Sequence, residues 1–60
     1  MNNYFICFEV TTHNDEYLNS KFILLDYSIC DPITLRKAEV ELHKFDNDTK
    51  YVKIINFNKI

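Results

Sequence analysis

The sequence predicts an α+β fold in which a small three-stranded antiparallel sheet carries one helix on one face, in the order β-β-α-β. Three observations predict it. The chain has only 60 residues, 47% of them are hydrophobic, and the apolar spacing changes from alternating to helical after Asp31-Pro32. A chain of this length has room for a single domain over residues 1–60, and its hydrophobic fraction is too high for a disordered segment.

Two strands are expected first, separated by a polar loop. Residues 4–12 are rich in aromatic and β-branched side chains and alternate between two faces, one of which begins at Tyr4 and the other at Phe5. Residues 21–30 repeat this alternation, and the polar residues 13–20 between them are typical of a loop. Neighbouring strands joined by such a connection most simply form an antiparallel hairpin.

A helix is expected after the second strand, which Asp31-Pro32 ends because proline cannot donate to a sheet ladder. The cap is either Thr34 or Asp31 with Pro32 at the first helical position. The spacing of four apolar residues between positions 33 and 45 gives one helical stripe, formed by Leu35, Ala38, Leu42 and Phe45. Residues 51–57 then form the third strand, with Tyr51, Ile55 and Phe57 on one side and Val52 and Ile54 on the other.

Residues 38–45 also permit a second interpretation. Ala38, Val40 and Leu42 alternate with polar residues, so this segment could pair with residues 51–57 across a turn at positions 46–49 and give an all-β fold of two hairpins. The helix is favoured because the preceding Leu-Arg-Lys-Ala-Glu run has high helix propensity. A strand would also place Phe45 on the polar face.

The sheet face turned away from the helix is expected to be apolar and uncovered, because one helix can cover only one face. An exposed apolar patch on a small protein usually marks an association surface. We therefore predict that this face binds a protein partner or a second copy of the chain. A second copy could also pair through an open edge of the sheet. The expected partner-binding residues are apolar side chains with acidic neighbours, namely Phe5, Phe22, Leu24, Glu9 and Asp26.

No constellation typical of catalysis or metal binding stands out in the sequence. The soft metal ligands Cys7, Cys30, His13 and His43 are not paired at ligand spacing. Cys7 falls in an apolar strand, where a thiol packs rather than reacts. We therefore predict no catalytic residues, no metal site and no cofactor, and we do not expect an enzyme.

The charge of the chain argues against nucleic acid as the partner. The formal net charge is −2, whereas phosphate backbones are usually bound by a strongly basic face. Lysines late in the chain, among them Lys50 and Lys53, could still contact phosphate. A small nucleic-acid-binding regulator is therefore kept as an alternative function.

Location and origin can also be inferred from composition. Asn2 and Asn3 follow Met1 without a basic segment, and no apolar run has the length of a membrane span, so we expect a cytoplasmic protein with reduced cysteines and no membrane partner. Ile, Asn, Lys, Tyr and Phe supply 29 of 60 residues. Their codons are A/T-rich, which is consistent with a phage or another mobile element and also with an A/T-rich bacterial or protist chromosome.

Two strands, the segment Asp31-Pro32-Ile33-Thr34-Leu35-Arg36-Lys37-Ala38-Glu39 and the strand Tyr51-Val52-Lys53-Ile54 follow one another in the chain. This order resembles tiny phage and prophage proteins, among them single-domain anti-CRISPR and related anti-defence inhibitors. The resemblance implies a non-enzymatic protein that binds a host defence or regulatory complex stoichiometrically and blocks it. It transfers no functional residue, and an antitoxin or assembly subunit is a further alternative.

Overall fold

The helix and strands follow one another in the order that the sequence predicts. They are β1 (Asn2–Thr12), β2 (Glu16–Leu25), α1 (Pro32–His43) and β3 (Thr49–Lys59), in a computed structural model that describes residues 1–45 and 48–60. Within those residues the strands form a three-stranded sheet of order β2-β1-β3, with β1 antiparallel to both neighbours. The α+β class and the β-β-α-β order are confirmed. The all-β alternative is wrong, because residues 32–43 are helical.

The hairpin between β1 and β2 is tighter than predicted. The expected loop over residues 13–20 is mostly wrong, since β2 already begins at Glu16. The turn is closed by Thr12, whose N–H donates to the carbonyl of Asp15 (2.8 Å) and whose hydroxyl oxygen accepts from the N–H of Asp15 (3.0 Å). No residue in the described ranges has a positive φ, so the turn forms without glycine or a left-handed residue.

The start of α1 is fixed by a reciprocal cap. Asp31 is the N-cap, and its carboxylate accepts the N–H of Thr34 at 2.8 Å, while the hydroxyl oxygen of Thr34 accepts the N–H of Asp31 at 3.1 Å. Pro32 follows in the first turn, where its missing N–H does no harm. Of the two caps that the sequence allowed, the structure therefore contains Asp31.

The core lies between α1 and the sheet face that we call the inner face. Ile6 is completely buried there, and the hydroxyl of Tyr4 accepts the N–H of Ile29 (2.9 Å), which holds the segment before α1 against β1. Phe45 was expected in this core but lies beyond the helix and is exposed, with the ammonium of Lys21 3.6 Å from its ring centroid. The buried apolar residues are Tyr4, Ile6, Phe8, Val10, Leu25, Ile29, Ala38, Leu42, Val52 and Ile54.

A shift of register in β3 changes which residues face the core. Phe8 lies opposite Ile54 and Cys7 opposite Asn56, so Ile55 is an extra residue between them. Such a bulge exchanges the two faces for everything beyond it. Phe57, predicted to share a side with Tyr51 and Ile55, instead lies on the inner face, with its ring 6.0 Å from that of Tyr4.

Candidate protein-binding face

The sheet face opposite α1, which we call the outer face, carries apolar side chains that residues 1–45 and 48–60 leave exposed. Phe5 and Phe22 lie directly opposite each other on β1 and β2, with ring centroids 4.8 Å apart at an interplanar angle of 52°. Phe22 is 69% exposed, and Leu24, the next outer-face residue on β2, is 53% exposed. The structure therefore brings together three of the predicted partner-binding residues: Phe5, Phe22 and Leu24.

The outer face extends further than the sequence predicted. Leu18 and Ile55 are 71% and 57% exposed and flank a shallow groove of about 370 Å³ that has Cys7 in its lining. Leu18 escaped prediction because the polar residues around it resembled a loop, and Ile55 because its position depends on the bulge. Tyr51, opposite Thr11, adds an aromatic side chain at the far end of the face.

Glu9 lies in the middle of the outer face, as predicted, among both apolar and basic neighbours. Its register partners are Leu18 on β2 and Lys53 on β3. Opposite charges directly across a sheet stabilise it by about 0.2–1 kcal/mol. Lys53, a residue on which the nucleic-acid alternative depends, therefore faces a carboxylate in the strand register.

Asp26 does not lie on the outer face. It was predicted there as the continuation of a strand over residues 21–30, but the pairing of β2 with β1 ends at Leu25 and Asp26 is an exposed residue after the strand. The chain leaves the sheet at this point because Ile29 packs into the core. The position predicted for Asp26 is therefore wrong.

The cysteines and histidines are not assembled into a metal site in the part of the chain that the structure describes. Cys7 is half-buried on the outer face and Cys30 is exposed, both as free thiols. No group of three or more His, Cys, Asp or Glu residues within 1–45 and 48–60 could hold a metal ion. Across the same ranges, no helix has the length and apolar character needed to cross a membrane.

The pKa shifts of Asp31 and Tyr27 belong to groups away from the outer face. Hydrogen bonds from the backbone and side chain of Thr34 lower the pKa of Asp31 below its ordinary value of 3.8. Burial raises the pKa of the Tyr27 hydroxyl above 10.0, and the carboxylates of Glu41 and Asp26 add to this shift. Both shifts therefore report on the helix and its packing, and neither supplies chemistry to the outer face.

Comparisons with known proteins give no relative from which a function could be transferred. No family model, curated protein or solved structure matches the chain.

The arrangement of the outer face is suited to binding a protein surface. Full burial of a large apolar side chain contributes about 1.5–3 kcal/mol, so Phe22, Leu24, Leu18 and Ile55 together could anchor a partner. The aromatic pair of Phe5 and Phe22 would present a rigid centre, since few side-chain rotations would be lost on binding. Glu9 and Lys53 add charges that could fix the orientation of the partner.

Proposed function

We propose that this chain is a non-enzymatic protein of a phage or another mobile element, which binds a host defence or regulatory complex stoichiometrically and inhibits it. The observation that carries the proposal is the outer face, where Phe5 and Phe22 pair in an apolar surface that no part of the described chain covers. The resemblance to small anti-defence inhibitors supplies the class of target. Inhibition would follow from occlusion, because a bound domain blocks the surface on which it sits.

The polarity of the outer face supports a protein partner more than a nucleic acid. Its exposed side chains include Leu18, Phe22, Leu24 and Ile55, which fit a hydrophobic interface centre. Lys53 is offset by Glu9 in the register, and the chain as a whole is acidic. The phosphate-binding footprint of a nucleic-acid protein requires the opposite balance.

The test is capture from lysate of a bacterial host that carries defence systems, with and without nuclease treatment, using the tagged protein and matched variants. Phe22→Asp and Ile55→Asp place a charge at two separate points of the outer face. Ile33→Asp makes the same chemical change at an exposed residue of α1 and serves as the control. Circular dichroism and unfolding curves establish that each variant is folded.

We expect the wild type and Ile33→Asp to retain the same host complex in a fixed ratio, and both outer-face variants to lose it. If folded Phe22→Asp and Ile55→Asp retain the complex as well as the wild type does, the outer face is not the binding surface. Retention that disappears with nuclease treatment would favour the nucleic-acid alternative and overturn the proposal.

A further inference from the structure

The two edges of the sheet are treated differently by the rest of the chain. At the edge of β3, the carboxylate of Glu39 accepts the N–H of Ile54 (2.9 Å), and Nε2 of His43 donates to the carbonyl of Lys50 (3.2 Å). Both side chains project from α1, whose main contact is with β3. The bulge and the lysines at positions 50, 53 and 59 add the features that usually prevent an edge from pairing with another chain.

Within residues 1–45 and 48–60, α1 makes no such side-chain contact to the backbone of β2, although the N–H groups of Glu16 and Ser20 donate to the side chains of their neighbours Asp15 and Asn19. The register of β2 with β1 runs without interruption from Asn2↔Leu25 to Thr11↔Glu16, and its sequence contains no proline. The main contact of α1 is with β3 at the other edge of the sheet, so the helix does not cover the outer edge of β2. A regular exposed edge of this kind is a template for adding a further strand.

The hydrogen bonds show which backbone groups of β2 point outward. Thr12 N–H bonds to the Asp15 carbonyl, so the odd-numbered residues of β2 form the ladder with β1, because alternate residues of a strand bond to opposite sides. The N–H groups of Leu18, Ser20 and Phe22 therefore point away from the sheet. That of Ser20 donates to the side chain of its neighbour Asn19 at 2.8 Å, as an outward-facing donor can.

We infer that β2 pairs antiparallel with β2 of a second copy of this chain, joining two sheets across a two-fold axis. Residues that lie directly opposite each other in neighbouring strands share a face of the sheet. The two-fold axis must therefore set one residue of β2 opposite the same residue of the second copy, and it cannot lie between two consecutive residues. The two registers that overlap most of β2 are centred on Ser20 and Lys21. A centre at Lys21 would set the lysine against its own copy, a destabilising arrangement, so charge selects Ser20.

The Ser20 register is self-complementary on both faces. On the outer face it sets Leu18 opposite Phe22 of the second copy, and on the inner face it sets Tyr17 opposite Ile23 and Asn19 opposite Lys21. Leu18, Phe22 and Leu24 are 71%, 69% and 53% exposed, and the parts that face the second copy would contribute to the roughly 800 Å² per partner of a standard interface. The strand backbone and the inner-face residues supply further area.

This inference does not rest on the proposed function, because it concerns the backbone edge of β2. The two surfaces share Leu18, Phe22 and Leu24, so Ile55, which lies on the outer face but not on β2, is the residue that separates them. The first experiment measures mass by sedimentation equilibrium over a wide range of protein concentration. We expect the mass to rise from 7.2 kDa towards twice that value. A mass of 7.2 kDa at every concentration overturns the inference. The same result is expected if the edge of β2 binds a foreign peptide instead of a second copy.

Two proline variants locate the contact. Ser20→Pro removes an outward N–H of β2, and Lys59→Pro removes one on the edge of β3, so neither breaks a ladder bond to β1. We expect Ser20→Pro to remain monomeric and Lys59→Pro to dimerise like the wild type. A folded Ser20→Pro that still dimerises contradicts the inference. Ile55→Asp should also dimerise, which separates this result from any failure of the outer-face proposal.

Hydrogen exchange of the wild type decides the question even if a proline variant fails to fold. The amides of Leu18 and Phe22 should exchange slowly at high protein concentration and quickly on dilution, while the ladder amides of Ile23 and Lys21 change little. A dimer in which the Leu18 and Phe22 amides exchange quickly at every concentration uses another surface, and that result overturns the inference.

Discussion

The carboxylate of Glu39 accepts the backbone N–H of Ile54 at 2.9 Å and so attaches the middle of α1 to the edge of β3. The other carboxylate oxygen of Glu39 accepts a hydrogen bond from the guanidinium of Arg36 at 3.4 Å, and the Glu39 side chain is mostly shielded from solvent. The side chain of Glu39 thereby accepts a backbone N–H of β3 that could otherwise donate to another strand. The contact links the stability of the fold to the asymmetry between its two edges.

Removal of this contact should lower stability more than removal of an ordinary surface ion pair. A hydrogen bond to a charged group contributes about 1.5–3 kcal/mol, so Glu39→Ala should lower the free energy of unfolding by an amount of this order. The control is Glu41→Ala, which breaks the exposed pair with Lys44 and should lower it by about 0–1 kcal/mol. Urea unfolding measures both, and equal losses would show that Glu39 acts only as a surface charge.

Tyr4 and Tyr27, whose hydroxyls are both buried, should respond in opposite ways to loss of the hydroxyl. Tyr4→Phe leaves the N–H of Ile29 without its acceptor and should lower the free energy of unfolding by about 1–3 kcal/mol. The hydroxyl of Tyr27 is buried without a partner among the described residues, so Tyr27→Phe should raise it by about 1 kcal/mol. Urea unfolding of the two variants tests the pair. A loss in Tyr27→Phe as large as that in Tyr4→Phe would contradict it.

The cap at Asp31 should make stability depend on acidity. Its hydrogen bonds with Thr34 hold the pKa of the Asp31 carboxyl in the folded protein below 3.8, so folding favours the ionised form of Asp31. The stabilisation is therefore present above the ordinary pKa and is lost as pH falls through the lower, folded-state pKa. Asp31→Asn keeps a capping oxygen but does not titrate in this range.

Urea midpoints at neutral and acidic pH measure this effect. The difference in stability between the wild type and Asp31→Asn should shrink when the pH falls below 3.8. All other residues are the same in the two proteins, so their contributions cancel in the comparison. A difference that does not change with pH would show that the charge on Asp31 contributes nothing to the cap.

The core and the bulge should differ in their tolerance of a deleted methyl group. Ile6 is completely buried in the middle of β1, so Ile6→Val should lower the free energy of unfolding by about 0.5–1.5 kcal/mol. Ile55 is exposed, and Ile55→Val should change it by no more than about 0.5 kcal/mol. A comparable loss in both variants would contradict this expectation and show that Ile55 is buried in solution.

Burial explains which parts of the fold could be predicted from the sequence. β1 is covered by α1 on one face and half-covered on the other, so its alternation is clear, and the stripe of Leu35, Ala38 and Leu42 records the side of α1 that packs on the sheet. Where packing imposes a period on the residues, the period indicates the element. The fold class followed from these two segments.

The sequence-based predictions are wrong where packing imposes no clear period on the apolar residues. The first half of β2 is an edge exposed on both faces, so its polar residues resemble a loop and Leu18 was missed as part of the outer face. The bulge at Ile55 arises from the pairing of β3 with β1, which a single segment of sequence does not encode. Asp26 was misplaced because alternation continues past Leu25 in the sequence although the strand ends there.

The outer face as a protein-binding surface is the central claim, and titration of the purified host complex with matched variants tests it most directly. We expect one site per target complex, affinities of the wild type and Ile33→Asp that agree, and a loss of at least about tenfold in Phe22→Asp and Ile55→Asp. Equal affinities for all four folded proteins would contradict the claim and move the binding surface elsewhere on the molecule.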